Sequence, residues 1–307
     1  MNSKGTVFAI ALLLTLMASV ACVGLAKTTI TYMGSWGQTA GATGVSDYEL
    51  MQQLIEEYMK DTGIQVDWIN VTDSSKLTSM IAAGTPPDVV YSYHPWVHSF
   101  AAQYAFLDLN PMVARDSAQV KVQDFFPGTL ESLTYEGQLY ALPIWLASSG
   151  LYYNKQIFEE AGVGYPDGTW TWNDLIIQGR KLCKFDADDE MTQFAFTSDG
   201  YNFDWSTGPI IWVWSNGGDL IDETGTELLL GSSAARQALE FYYDVVFQQN
   251  ISVAPRHHNQ RSFYERFFNG EVAIWDSPSW NNTYLANCAF PWDVAPTLIS
   301  PFTGAQG

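Results

Sequence analysis

From Thr29 to Tyr93 the chain alternates strand and helix patterns closely enough to restrict it to one fold class. "TTITYMGSWG" alternates as a first strand and ends in a Gly-rich loop that carries Trp36. "SDYELMQQLIEEYMKDTG" has the marks of an amphipathic helix. Ser46 and Glu49 form a capping box, Leu50, Leu54 and Tyr58 share a stripe, and Gly63 stops the helix. "IQVDWINV" alternates again as a strand, "SSKLTSMIAAG" reads as a helix ending at Gly84, and "PDVVYSY" as a third strand. Strand, helix, strand, helix, strand implies an α/β domain with a largely parallel sheet.

The pattern changes from about Glu136. "GQLYALPIWLASSGLYYNK" holds two extended runs broken by Pro143, which suits a crossing between domains, and a mostly helical region follows. "TWTWNDLIIQGRKL" opens with Thr171 and Asp174 in a capping relation, "SSAARQALEFYYDVVFQQ" repeats Ala235, Leu239, Tyr242 and Val246, and "SFYERFFNG" closes a helix ahead of the strand "EVAIW". At 307 residues the chain has material for two domains.

The first 26 residues read as an export signal: Lys4, then an uncharged apolar run from Val7 to Leu25. Gly24-Leu25-Ala26 places small residues where a signal peptidase cleaves, leaving Lys27 first. A weaker lipobox at Ser19-Val20-Ala21-Cys22 leaves a lipid anchor on Cys22 as the alternative. Two cysteines in the mature part, Cys183 and Cys288, make no disulfide framework and read as isolated thiols, with pairing left open. A net charge of −19 opposes binding to nucleic acid or anionic lipid, which needs clustered Lys and Arg.

Several segments in order resemble the family 1 extracellular solute-binding proteins, the maltose-binding-protein-like receptors of ABC importers. They are "KLTSMIAAGTPPDVVY", "FLDLNPMV", "YEGQLYALPIW", "GLYYNKQIFEEAGV" with "TWTWNDL", "SNGGDLI", and "FFNGEVAIWDSPSW" with "WDVAP". The resemblance implies a type II periplasmic-binding-protein fold of two α/β lobes with hinge crossings and ligand in the cleft between them. It places 27–137 and 268–303 in the first lobe and 138–267 in the second. Family members usually continue past the point where "SPFTGAQG" ends this chain, so the second lobe is expected to lack its closing segments. Hinge closure around ligand is the expected action. The implied function is non-catalytic: a monomeric extracytoplasmic receptor, without cofactor, that carries a sugar or oligosaccharide to the membrane permease of an ABC importer.

A sugar offers a weakly apolar C–H face and a rim of hydroxyls, so its site wants flat aromatic rings with Asp or Asn beside them. Twelve tryptophans make such a site affordable. The loop after "EVAIW" brings Asp276 for hydroxyls and Trp280 for stacking, and Trp280 matches a family tryptophan that contacts sugar. Trp275, inside the strand, reads as core. Trp36 follows the first strand, and Tyr93 and His94 with Trp96 follow the third, at the carboxyl ends where open parallel sheets bind ligands. Trp145 beside Pro143 faces the cleft or braces the hinge. Of Trp205, Trp212 and Trp214, Trp214 is the chosen contact; 212 and 214 share a side if extended and diverge on a helix. Asp88 reads as a structural turn residue.

Other chemistries fit less well. His94 and His98 have the i, i+4 spacing of a metal pair, but Pro95 argues against a helix there. His257-His258 reads as a loop pair, and "DADDE" at 186–190 lacks the glycine and distal glutamate of a calcium loop. No metal site is expected. The rival functions are a secreted glycoside hydrolase, which needs two carboxylates across the scissile bond, and a shortened receptor that no longer binds.

Overall fold

Three parallel strands carry the alternation that opens the chain. In the computed structural model, which describes residues 27–38, 44–198, 208–222, 226–254, 263–285 and 288–305, they are β1 (Thr29–Met33), β2 (Gln65–Ile69) and β3 (Val89–Val90). Their order is β2-β1-β3, so the first strand lies in the middle. The expected signal at 1–26, including Cys22, lies outside the described residues. Among those described, no helix is long and apolar enough to cross a membrane.

Helix α1 (Asp47–Thr62) has the full capping box at Ser46 and Glu49 and stops at Gly63, whose φ of 74° is left-handed. Its half-buried positions are Tyr48, Met51, Ile55 and Met59. Leu50, Leu54 and Tyr58 are exposed. Both stripes satisfy helical periodicity, and the one lying one step round the helix is the better covered. Helix α2 (Ser74–Ala82) is capped by Asp73, which accepts the Lys76 N–H at 2.7 Å. Helix α3 (His94–Ala102) forms in spite of Pro95, because the proline sits in the first turn, where the N–H it lacks has no helical partner to lose. Met33, Leu77 and Phe100 make one small core here, and Val97, Leu133 and Leu139 another. Asp88 accepts the Thr31 N–H at 2.7 Å, which ties β1 to the turn that precedes β3. A short hairpin, β4 (Thr134–Tyr135) with β5 (Gln138–Leu139), turns at Glu136 and Gly137, both with positive φ as a two-residue turn requires.

The chain divides into two compact units between Ile144 and Trp145. The second unit is built on five strands in the order β10-β6-β9-β8-β7. These are β6 (Ser149–Asn154), β7 (Lys184–Phe185), β8 (Met191–Ser198), β9 (Val272–Pro278) and β10 (Trp292–Ala295). β9 runs antiparallel to β6 and parallel to β8. Every residue of β9 is buried, as a central strand covered on both faces demands. This corrects the sequence reading, which gave 268–303 to the first lobe. An uninterrupted buried strand needs partners on both edges, and β6 and β8 supply them.

Helices α4 (Lys155–Ala161), α5 (Trp172–Leu182), α6 (Pro209–Ser215) and α7 (Ser233–Tyr243) complete the main core, with Phe158, Trp172, Leu175, Phe196 and Trp212 at its centre. The Thr171–Asp174 capping box is present at the start of α5. A second cluster gathers Tyr152, Phe194, Phe267, Val272 and Trp275. Cys183 and Cys288 are free thiols, each pushed up to about 11 by burial.

Candidate functional site

In the first unit the three strands point their carboxyl ends the same way, and the backbone ladder continues one step past them. Gly34 N–H reaches Ile69 O at 3.1 Å, Tyr91 N–H reaches Met33 O at 2.8 Å, and Ser35 N–H reaches Thr72 Oγ1 at 2.7 Å. This edge carries a row of rings. Trp36 lies 5.0 Å from Tyr91, Tyr91 meets Tyr93 at 5.4 Å, and Tyr93 meets Trp96 at 5.2 Å, the last two edge to face. All four are half-buried, so each keeps surface for solvent or ligand. The Trp36 indole N–H donates to Tyr32 Oη at 2.9 Å. Burial raises the Tyr32 phenol above its ordinary pKa, partly offset by that bond, so the hydroxyl stays neutral.

His94 opens α3, and its side chain is exposed overall. Partial desolvation of the ring, then the charge of His98 one turn on, lower its pKa. It is therefore a neutral imidazole at pH 7, a donor and acceptor beside Tyr93 rather than a cation.

In the second unit Trp145 and Trp280 come together at one end of the antiparallel β6–β9 pair. Ser149 opens β6 in register with Pro278, the last residue of β9. Ser279 N–H then donates to Ser148 O at 2.8 Å, and Ser148 N–H to Ser279 Oγ at 3.2 Å. The indoles flanking this clasp meet edge to face, centroids 6.1 Å apart. Both are exposed, Trp145 at 46% and Trp280 at 40%.

Asp276 does not lie in the loop where the sequence reading put it. β9 runs on to Pro278, so Asp276 is inside the strand and only 4% exposed. With Ser215, Thr297, Trp172 and Trp212 it lines a cavity of about 10 Å³, room for one water. Beside it in register, Ser198 ends β8, and the hydroxyls of Thr197 and Ser198 are buried without a hydrogen-bond partner among the described residues.

On α6 the two tryptophans diverge, as helical spacing requires. Trp212 is buried against Trp172, Phe241 and Tyr242. Trp214 is exposed and donates its indole N–H to Asp219 Oδ1 at 3.1 Å. Trp205 and the His257-His258 pair lie outside the described residues. The acidic run at 186–190 is a hairpin turn between β7 and β8, with Asp186 Oδ1 accepting the N–H groups of Asp188 and Glu190.

The sequence reading missed Tyr32, Gly34 and Tyr91. Period-two alternation through "TYMG" and "VYSY" was the available signal, since it puts Tyr32 beside Gly34 and Tyr91 beside Tyr93.

The profile of the bacterial extracellular solute-binding proteins matches residues 41–297. The chain belongs to this family. These are solute-binding proteins, not enzymes. An arabinooligosaccharide-binding protein of Halalkalibacterium halodurans is 25% identical over 175 residues, 54% of this chain and 35% of that protein. A maltotriose-binding protein of Pyrococcus abyssi is 28% identical over 117 residues, 38% of this chain and 25% of that protein. This solute-binding chain thus matches about a third or less of the length of these curated relatives. Among solved structures, an ABC substrate-binding protein from Listeria monocytogenes in complex with cycloalternan superposes with a TM-score of 0.71 at 23% identity, covering 90% of this chain and 67% of that one. The shared fold is the two-lobe α/β fold of the solute-binding proteins.

Proposed function

We propose that the chain is an extracytoplasmic sugar receptor that binds an oligosaccharide by stacking it on tryptophan and tyrosine rings and passes it to the membrane permease of an ABC importer. The row Trp36, Tyr91, Tyr93 and Trp96 at the carboxyl edge of the first unit's sheet carries the reading. Half-buried rings packed against one another lose little freedom on binding, and the surface they keep matches the C–H faces of successive sugar units. Trp145, Trp280 and Trp214 give the second unit its own exposed indoles. Asp276 is buried in β9 beside a small cavity and is not offered to a ligand at the surface, and His94 offers a neutral hydrogen-bonding ring next to Tyr93.

Two relatives are named for binding oligosaccharides and a third was solved with cycloalternan. The N-terminal leader accounts for export, and the acidic chain acts as a monomer at the outer face of the membrane. Titration with maltotriose, arabino-oligosaccharides and cycloalternan, followed by tryptophan fluorescence, tests the reading. Saturable binding of one of them supports it, and a folded protein that binds none sinks it.

A further inference from the structure

Gly34 is pinned from both sides. Its N–H donates to Ile69 O at 3.1 Å, and its carbonyl accepts the Trp68 indole N–H at 2.8 Å. A Cβ on this residue would lie 2.5 Å from Tyr32 Oη and 2.8 Å from both Tyr32 Cζ and Tyr91 Cβ, closer than real Cβ atoms come. Its φ is outside the left-handed region, so the position demands space rather than glycine's conformational freedom.

The two side chains that such a Cβ would displace are the two that hold Trp36. Tyr32 Oη accepts the indole N–H at 2.9 Å, and Tyr91 packs its ring 5.0 Å from the indole at a 38° tilt. Indole has one hydrogen-bonding group, and here it is spent on Tyr32. What Trp36 keeps for a ligand is the face of its ring, which is the part a sugar's C–H surface fits. Ser35, Gly37 and Gln38 around it are exposed.

We propose that Tyr32 and Gly34 are positioning residues for a sugar-stacking surface at Trp36: the Tyr32 hydroxyl sets the ring's rotation, and the bare Cα of Gly34 lets Tyr32 and Tyr91 close on it. This rests on the receptor reading above. Tyr32→Phe keeps the ring and removes only the acceptor. Gly34→Ala adds the Cβ.

The experiment has two arms. The first is the indole N–H spectrum of the free protein, in which Trp36 is the signal missing from Trp36→Phe. In Tyr32→Phe that signal should move upfield as its hydrogen bond is lost. The second arm is affinity for whichever of maltotriose, arabino-oligosaccharide or cycloalternan the unaltered protein binds. Tyr32→Phe should weaken it about five-fold, the scale of the hydrogen bond that holds the ring in its stacking rotation, and lower the thermal midpoint by no more than that one bond contributes. Gly34→Ala should weaken it at least as much. An unmoved signal, or Tyr32→Phe binding within about two-fold of the unaltered protein, overturns the proposal. If the unaltered protein binds no sugar, the receptor reading falls and the stacking role with it, while the first arm still shows whether Tyr32 holds Trp36.

Discussion

Trp145 and Trp280 stand edge to face at 6.1 Å, one just ahead of β6 and the other just past β9. The serine clasp between Ser148 and Ser279 fixes both backbones, so the ring contact follows from strand register. Such pairs contribute about 0.5–1.5 kcal/mol beyond buried area, and partial exposure puts this one at the lower end. A double-mutant cycle with Trp145→Ala and Trp280→Ala on thermal unfolding should therefore give a coupling of about 0.5 kcal/mol. Independent effects would mean that the two rings do not support each other.

Leu175 is fully buried in the core of the second unit. Leu175→Ala should cost about 2–5 kcal/mol, read as a lower denaturation midpoint for that unit. A loss below about 1 kcal/mol would contradict the packing of α5 described here.

The capping box at Thr171 and Asp174 satisfies the first turn of α5, with the Thr171 hydroxyl and N–H both reaching Asp174 Oδ2. Thr171→Ala should cost about 1 kcal/mol, and Thr171→Ser much less. Equal losses would show that the methyl, not the hydroxyl, matters.

Burial pushes the Cys183 and Cys288 thiols from 9.0 to about 11. The folded state thus binds these protons more tightly than the unfolded one. Their contribution to stability is whole below pH 9 and is lost as pH rises towards 11. Both thiols should react slowly with iodoacetamide at pH 8 in the folded protein and rapidly in denaturant. Fast labelling of either in the folded protein would contradict the burial.

The first unit was legible because its signals are local. Strand alternation, the Ser46–Glu49 box and the glycine stops each lie within a few residues of what they determine. The membership of β9 was not legible, since "EVAIW" announces a buried strand but not which strands flank it. Pairing with β6 and β8 joins residues far apart in the chain. Asp276 was misplaced for a related reason: the strand continues through "DSP" because Ser149 and Gly150 pair with it, and turn-forming residues concealed that. Trp36 is a candidate contact from the sequence alone, whereas its neighbours Tyr32, Gly34 and Tyr91 are not legible there, because they meet it through space filled across two strands.

Isothermal titration of the folded protein and of Trp36→Ala and Trp280→Ala with the same three sugars tests the central claim most directly. The stacking mechanism predicts saturable one-to-one binding of at least one sugar, weakened about ten-fold or more in each variant, with both variants still cooperatively folded. Binding that survives both substitutions unchanged would contradict stacking on these rings, and no binding by the unaltered protein would contradict the receptor itself.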